Sequence, residues 1–248
     1  MELLEKMTAF KPIFAMAQLF GITVVALISI WSGHYLGGFA WQSNPGLQFN
    51  WHPLLTTIGM VYLYGNGILM YRINPESSKI KLKLLHAFTM LMVLVMVVIG
   101  LKAVFDSHDL NPCSENPEEL CPIPNMFSYH SWIGLTTVVL FAMQWFLGFA
   151  TFLLPGVALK LKANYLPSHT FFGIVIFICA CVSVLLGMIE QILFFIGGGK
   201  YTQFHPVGVM ANCIAIFVII FATAVVYLAT NARFKRQDTK PVMTNNNE

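Results

Sequence analysis

The sequence predicts an all-α fold, a bundle of six transmembrane helices, and three observations predict it. Of its 248 residues, 57% are hydrophobic and only 10% charged, with a mean hydropathy of +0.70. An ordinary soluble domain carries charge on about a quarter of its residues. The apolar residues gather into six runs, each long enough to cross about 30 Å of hydrocarbon at about 1.5 Å of rise per residue. The lysines and arginines fall almost entirely in alternate connections, as expected when successive crossings reverse direction.

The first run, 12–36, follows Glu2, Glu5, Lys6 and Lys11. It is too long for a cleaved signal segment and lacks a small-residue cleavage pattern, so it is expected to stay as an anchor. Trp31, Trp41 and Trp51 surround the first connection and are expected in an interfacial aromatic belt. The second run, 52–72, leads into a basic connection with Arg72, Lys79, Lys81 and Lys83, and the third covers 84–105. The loop NPCSENPEELCPIPN precedes the fourth run, 128–154. Lys160 and Lys162 precede the fifth, 166–193, and the sixth, 205–230, ends at Arg233, Lys235, Arg236 and Lys240. Of 14 basic residues, only Lys102 and Lys200 lie on the opposite side, so both termini are expected in the cytoplasm. The runs form one domain, 1–235, and the polar residues 236–248 are expected to be a disordered cytoplasmic tail.

This topology puts Cys113 and Cys121 outside the cytoplasm, where a disulfide closing their proline-rich loop is expected. Cys179, Cys181 and Cys213 lie in apolar runs and read as small packing residues. The net charge of +3 follows the basic inner face and gives no indication of nucleic-acid binding.

Four histidines, His52, His86, His130 and His169, each stand near the start of a different run, in FNWHPLL, KLKLLHAFTM, FSYHSWIG and LPSHTFFG. Starting positions alternate between the two faces, so His52 shares a level with His130 and His86 with His169. Polar groups in hydrocarbon are costly and usually functional. Two imidazoles at one depth suit a six-coordinate haem iron, so the pattern predicts two haems, one towards each face. With no CxxCH, such haems are held by ligands and packing alone. A histidine-lined metal carrier is the competing reading, but cations crossing a membrane usually meet carboxylates as well. Glu190 is the one acid near a span interior, and its place near the end of the fifth run suits an interfacial role. Gly59, Gly65, Gly67, Gly134, Gly148, Gly173 and Gly187 leave room for helix contact or for a flat macrocycle.

The segments FNWHP, LHAF, AVFDSH, NMFSYHSWIG with QWFLGF, LPSH and GGKYTQF resemble the cytochrome b561 family of ascorbate-dependent transmembrane oxidoreductases, over about residues 12–235. The resemblance implies a homodimer of six-helix chains whose inner four helices hold two haem b groups. His52 and His130 would bind the non-cytoplasmic haem, and His86 and His169 the cytoplasmic one. It implies one-electron transfer from cytoplasmic ascorbate to ferric iron or monodehydroascorbate on the other side. The membrane would be the plasma membrane or that of a secretory vesicle, endosome or lysosome. A di-haem subunit that oxidises quinol remains a further reading.

Substrate residues follow on both faces. The cations near His86 can hold an anion such as ascorbate by charge-assisted hydrogen bonds, although the positive-inside bias alone would place lysines there. The resemblance favours Arg72, Lys79 and Lys83 over Lys81. Lys162 stands where the family commonly has arginine, which keeps the charge and loses the bidentate fork. On the outer face, His34 ends the first run and His108 the third, with Phe105 one turn earlier and Asn125 just before the fourth. Two rim imidazoles can bind a metal ion or pass a proton, and the resemblance places His108 at the outer substrate site. Asp106, Asp109, Glu115, Glu118 and Glu119 make the neighbouring loop acidic, which can attract ferric iron or simply be a solvated surface. His205, where family members often carry an acid, has no assigned role.

Overall fold

A computed structural model describes residues 2–236. All six runs are helices long and apolar enough to cross a membrane, so the chain is a multi-pass membrane protein. Helix α1 spans Glu2–Ile30 and runs into a π turn, Trp31–Tyr35. The second span, α2, covers Pro45–Ile73, followed by α3 (Lys79–Asp109), α4 (Tyr129–Phe152), α5 (Leu159–Phe195) and α6 (Pro206–Thr230). The tail expected beyond residue 235 lies outside the described residues except for Arg236, whose Nη2 donates to the Ser77 carbonyl.

Local signals set the helix ends. Ser78 caps α3 by accepting from Lys81 N, and Ser128 and Ser131 form a reciprocal capping box at the start of α4. His205 caps α6 by accepting from Val207 N, ahead of Pro206 in the first turn, which is the structural use of the unassigned histidine. Inside α2 the regular helix is interrupted by a π segment, Ile58–Leu63.

Helices α2 to α5 form the inner bundle, with α2 against α3 and α4 against α5, while α6 packs on α5 and α2 and carries α1 on its outer side. The α1 contact is anchored by Trp31, which is fully buried and donates Nε1–H to the Val207 carbonyl. Trp31 therefore does not sit in the aromatic belt expected from its position. A buried indole needs an acceptor, and the first turn of α6 supplies one. Gln18, Tyr62 and Asn66 tie α1 to α2 through hydrogen bonds that leave none of these side chains unpaired. At the centre of the inner bundle, Tyr64 packs edge-on against Phe141 and Phe177 and donates its hydroxyl to the Gly173 carbonyl.

Two spans extend well past their apolar runs. Helix α3 begins at Lys79 and α5 at Leu159. Hydropathy marks only the part in hydrocarbon, whereas these helices continue as polar turns beyond it. Helix α5 also passes through Pro167 without ending.

Candidate functional site

The inner bundle brings the four histidines together in two facing pairs. The rings of His52 and His130 lie 5.9 Å apart, centre to centre, and those of His86 and His169 lie 6.3 Å apart. Metal–imidazole bonds are about 2 Å long, so two rings on opposite axial positions of one iron have centres about 6 Å apart. Both pairs match that spacing. Each of α2, α3, α4 and α5 contributes one histidine, and the pairs join α2 to α4 and α3 to α5 at opposite ends of the bundle.

Three of the four rings are oriented by backbone carbonyls across helix contacts. His52 Nδ1 bonds to Gly100 O at 3.2 Å, His86 Nδ1 to Gly67 O at 2.9 Å, and His130 Nδ1 to Ser183 O at 2.9 Å. A carbonyl can only accept, so Nδ1 carries the hydrogen and Nε2 presents its lone pair, as an iron ligand requires. The Nδ1 of His169 is buried and has no hydrogen-bond partner. Its ring is held by packing between Phe152, at 5.3 Å, and Tyr165, at 5.8 Å.

Glycine makes room for two of the rings. A Cβ on Gly148 would lie 2.8 Å from His169 Cε1, and one on Gly187 would lie 2.7 Å from His130 Cε1. The arrangement is reciprocal, because His130 of α4 sits over Gly187 of α5 and His169 of α5 sits over Gly148 of α4. Along each helix the interval from histidine to glycine is about five turns at about 3.6 residues per turn, so both lie on one face. The α2–α3 pair repeats the pattern with carbonyls, His52 on Gly100 and His86 on Gly67. There the interval in α2 is one residue longer than that in α3. A π segment inserts one residue into an α-helix, and Ile58–Leu63 lies inside that longer interval. Gly65 serves a different purpose, since a Cβ there would press on Phe221 of α6.

The His52–His130 pair opens into a cavity of about 720 Å³, within the range of ligand pockets. Thr56, Met60, Val97, Leu101, Val138 and Val184 give it apolar walls. The donor set, the ring spacing and this largely apolar chamber together fit a haem. Phe105, His108 and Asn125 line its mouth, as does Glu190. His108 Nδ1 lies 2.7 Å from Asn125 Oδ1, and Asn125 Nδ2 donates to Asp109 Oδ1. His34 is exposed, packs edge-on against Tyr35 and does not line this cavity. Cys113 and Cys121 form the disulfide expected in the loop above it. Lys102 is paired with Asp106 at 2.9 Å.

At the opposite end, Lys83 lies close enough to Lys162 and Lys79 to interact with their charges. Its Nζ donates to the Phe152 carbonyl at the end of α4. Tyr165 stands one turn from Lys162 and reaches Gln144, which in turn donates to the His169 carbonyl. Arg72 is directed elsewhere and donates Nη1–H to Asn231 O, just past the end of α6. Lys81 is exposed. Trp145 donates to the Ala87 carbonyl beside His86. Phe152, Tyr165, Gln144 and Trp145 were not singled out from sequence. Their signal is spacing alone, whole turns from one of the four histidines or facing one across the bundle.

Residues 51–195, which contain all four histidines, match the eukaryotic cytochrome b561 family. The chain is 41% identical over 229 residues to the human transmembrane ascorbate-dependent reductase CYB561, covering 92% of this chain and 86% of that protein. It is 35% identical over 240 residues to the putative transmembrane ascorbate-dependent reductase CYB561 homolog of Caenorhabditis elegans, covering 94% and 87%. It is 37% identical over 234 residues to the lysosomal membrane ascorbate-dependent ferrireductase CYB561A3 of Bos taurus, covering 88% and 84%. Paired imidazoles at each end of a four-helix core, embedded in that extent of similarity, make this chain a member of the eukaryotic cytochrome b561 family.

Proposed function

We propose that this protein passes single electrons across a membrane, from ascorbate on the cytoplasmic face to an acceptor on the other, by way of two haem b groups. The observation that carries the reading is the pair of imidazole couples, 5.9 Å and 6.3 Å apart, at opposite ends of one bundle. An interval of about 14 to 18 helical residues separates the two levels, or about 21–27 Å along the helices. When bound, the haems supply the one-electron redox chemistry. His52 and His130 would hold one of them and His86 and His169 the other, with the carbonyls of Gly100, Gly67 and Ser183 fixing three ring orientations.

The remaining residues bind and orient the reactants. Lys83 and Lys162, with Lys79 near them, form a cationic mouth beside His86 and His169 that suits the ascorbate monoanion. Arg72 adds positive charge to the same face while its Nη1 holds the end of α6. At the other face Phe105, His108 and Asn125 border the open cavity and would meet the acceptor, ferric iron or monodehydroascorbate, with the exposed His34, which does not line the cavity, as an approach residue. The bias of basic residues supports the reading that both termini are in the cytoplasm, and the chain is proposed to work as a homodimer. The membrane that suits these acceptors is the plasma membrane or that of a secretory vesicle, endosome or lysosome.

The test is reconstitution into vesicles loaded with ascorbate, with ferric citrate or monodehydroascorbate offered outside. The proposal expects b-type absorbance bands that reduce with ascorbate and re-oxidise on adding one of these acceptors. A colourless preparation that moves metal ions would indicate a carrier. Reduction by quinol in preference to ascorbate would indicate a quinol-oxidising subunit.

A further inference from the structure

The loop 110–128, between α3 and α4, is long and irregular, yet Asn111, Ile123, Asn125, Met126 and Phe127 all face the cavity that holds His52 and His130. Helical packing does not hold this loop, so something else must fix its position. The Cys113–Cys121 disulfide joins its two limbs. Around the bridge, Cys113 N donates to Glu119 O, Cys121 N to Asn111 O, and Asn111 Nδ2 to Cys121 O. The returning limb is then tied to α3, with Ile123 N donating to the His108 carbonyl at 3.0 Å.

That limb delivers Asn125. Its Nδ2 donates to Asp109 Oδ1, which turns its Oδ1 towards His108 Nδ1 at 2.7 Å. An amide oxygen only accepts, so His108 carries its hydrogen on Nδ1 and presents Nε2 as the lone-pair nitrogen. We propose that the Cys113–Cys121 bridge is a positioning device for the electron-acceptor site: it holds Asn125 against His108, so that His108 offers Nε2 to a ferric chelate or to the hydroxyl of an organic acceptor. The inference rests on the reading of His108 and Asn125 as the outer substrate residues. The cysteines touch no substrate and act through Asn125.

The test uses the full-length, haem-loaded protein in ascorbate-filled vesicles, with ferric citrate and, separately, monodehydroascorbate as external acceptors. Three variants are compared with the parent: Cys113→Ser with Cys121→Ser, Asn125→Ala, and all three changes together. The cysteine pair and Asn125→Ala should each raise KM for the acceptor about five-fold, the fold-change of one hydrogen bond. The kcat, the KM for ascorbate and the haem spectrum should stay unchanged. The triple variant should be no worse than Asn125→Ala, since both routes remove the same contact. An unchanged acceptor KM in the cysteine variant, beside a raised one in Asn125→Ala, overturns the proposal and leaves the outer site standing. So does an additive rise in the triple variant, or loss of haem absorbance in the cysteine variant. If Asn125→Ala has no effect with either acceptor, the outer-site reading itself fails, and the role of the bridge fails with it.

Discussion

Replacing Gly148 by alanine should evict one haem and spare the other. The added Cβ would lie 2.8 Å from His169 Cε1 and 3.3 Å from Nδ1. Carbon atoms in contact settle at about 3.5–4.0 Å, so the ring must retreat by about 1 Å. Phe152 and Tyr165 flank it, and no hydrogen bond guides Nδ1 to a new position. Metal–ligand distances tolerate only about 0.2 Å, so the displacement breaks the pairing with His86, while overpacking costs the fold about 1–3 kcal/mol. The assay is haem content by pyridine haemochrome with a low-temperature spectrum of the purified variant. Haem should fall from two per chain towards one, and the signal that remains should be the one lost in Gly187→Ala, which crowds His130 instead. Gly199→Ala is the control, because nothing lies within 4 Å of its added methyl, and it should keep both. Full haem content with unaltered ligand-field signals in Gly148→Ala would refute the account of this glycine as the seat of a ligand.

Other consequences can be checked independently. His86→Ala should lose the same haem as Gly148→Ala and stop reduction by ascorbate, leaving the His52–His130 signal intact in spectra of the chemically reduced protein. Lys162→Ala should raise KM for ascorbate about ten-fold, the worth of one charge-assisted hydrogen bond. Added salt should shrink that difference, since exposed charges are screened within about 10 Å at 0.1 M, and steady-state rates at two ionic strengths test it. Tyr64→Phe leaves the Gly173 carbonyl without its side-chain donor at a buried position. It should cost about 1–2 kcal/mol and lower the melting temperature in detergent by about 3–6 °C for a chain of this size.

The six crossings and both histidine pairs could be read before any coordinates, for one physical reason. A bilayer makes successive crossings antiparallel and requires each to traverse the same thickness of hydrocarbon, so distance along an apolar run translates directly into depth. The Cys113–Cys121 bridge expected in the loop between the third and fourth crossings is also present. Trp31 was misplaced because depth carries no information about azimuth: its level is interfacial, but its face points at Val207. His205 was unreadable because a cap depends on local backbone geometry, which apolar periodicity does not encode. The roles of Gly148 and Gly187 were half legible. Their whole-turn spacing from His130 and His169 is written in the sequence, but which neighbour fills the space depends on how α4 and α5 pair. Arg72 and Lys83 show a similar division, since the charge bias marks their side of the membrane and only the fold shows that each also donates to a carbonyl near a helix end.

The irregular stretch Ile58–Leu63 implies that this chain can absorb a one-residue change of length at that point. Conservative swaps of its apolar side chains leave the ladder of the helix intact. Deleting a single codon there would restore ordinary winding and leave 14 residues from His52 to Gly67, the interval that α3 spans from His86 to Gly100, so both would keep their faces. A hydropathy plot of such a deletion would look almost untouched, and the protein would insert and still take up its colour. A one-residue gap in this window is therefore compatible with retained activity among related genes, whereas the same gap between His86 and Gly100, where no π segment can absorb it, would turn the ring about 100° away from its carbonyl partner.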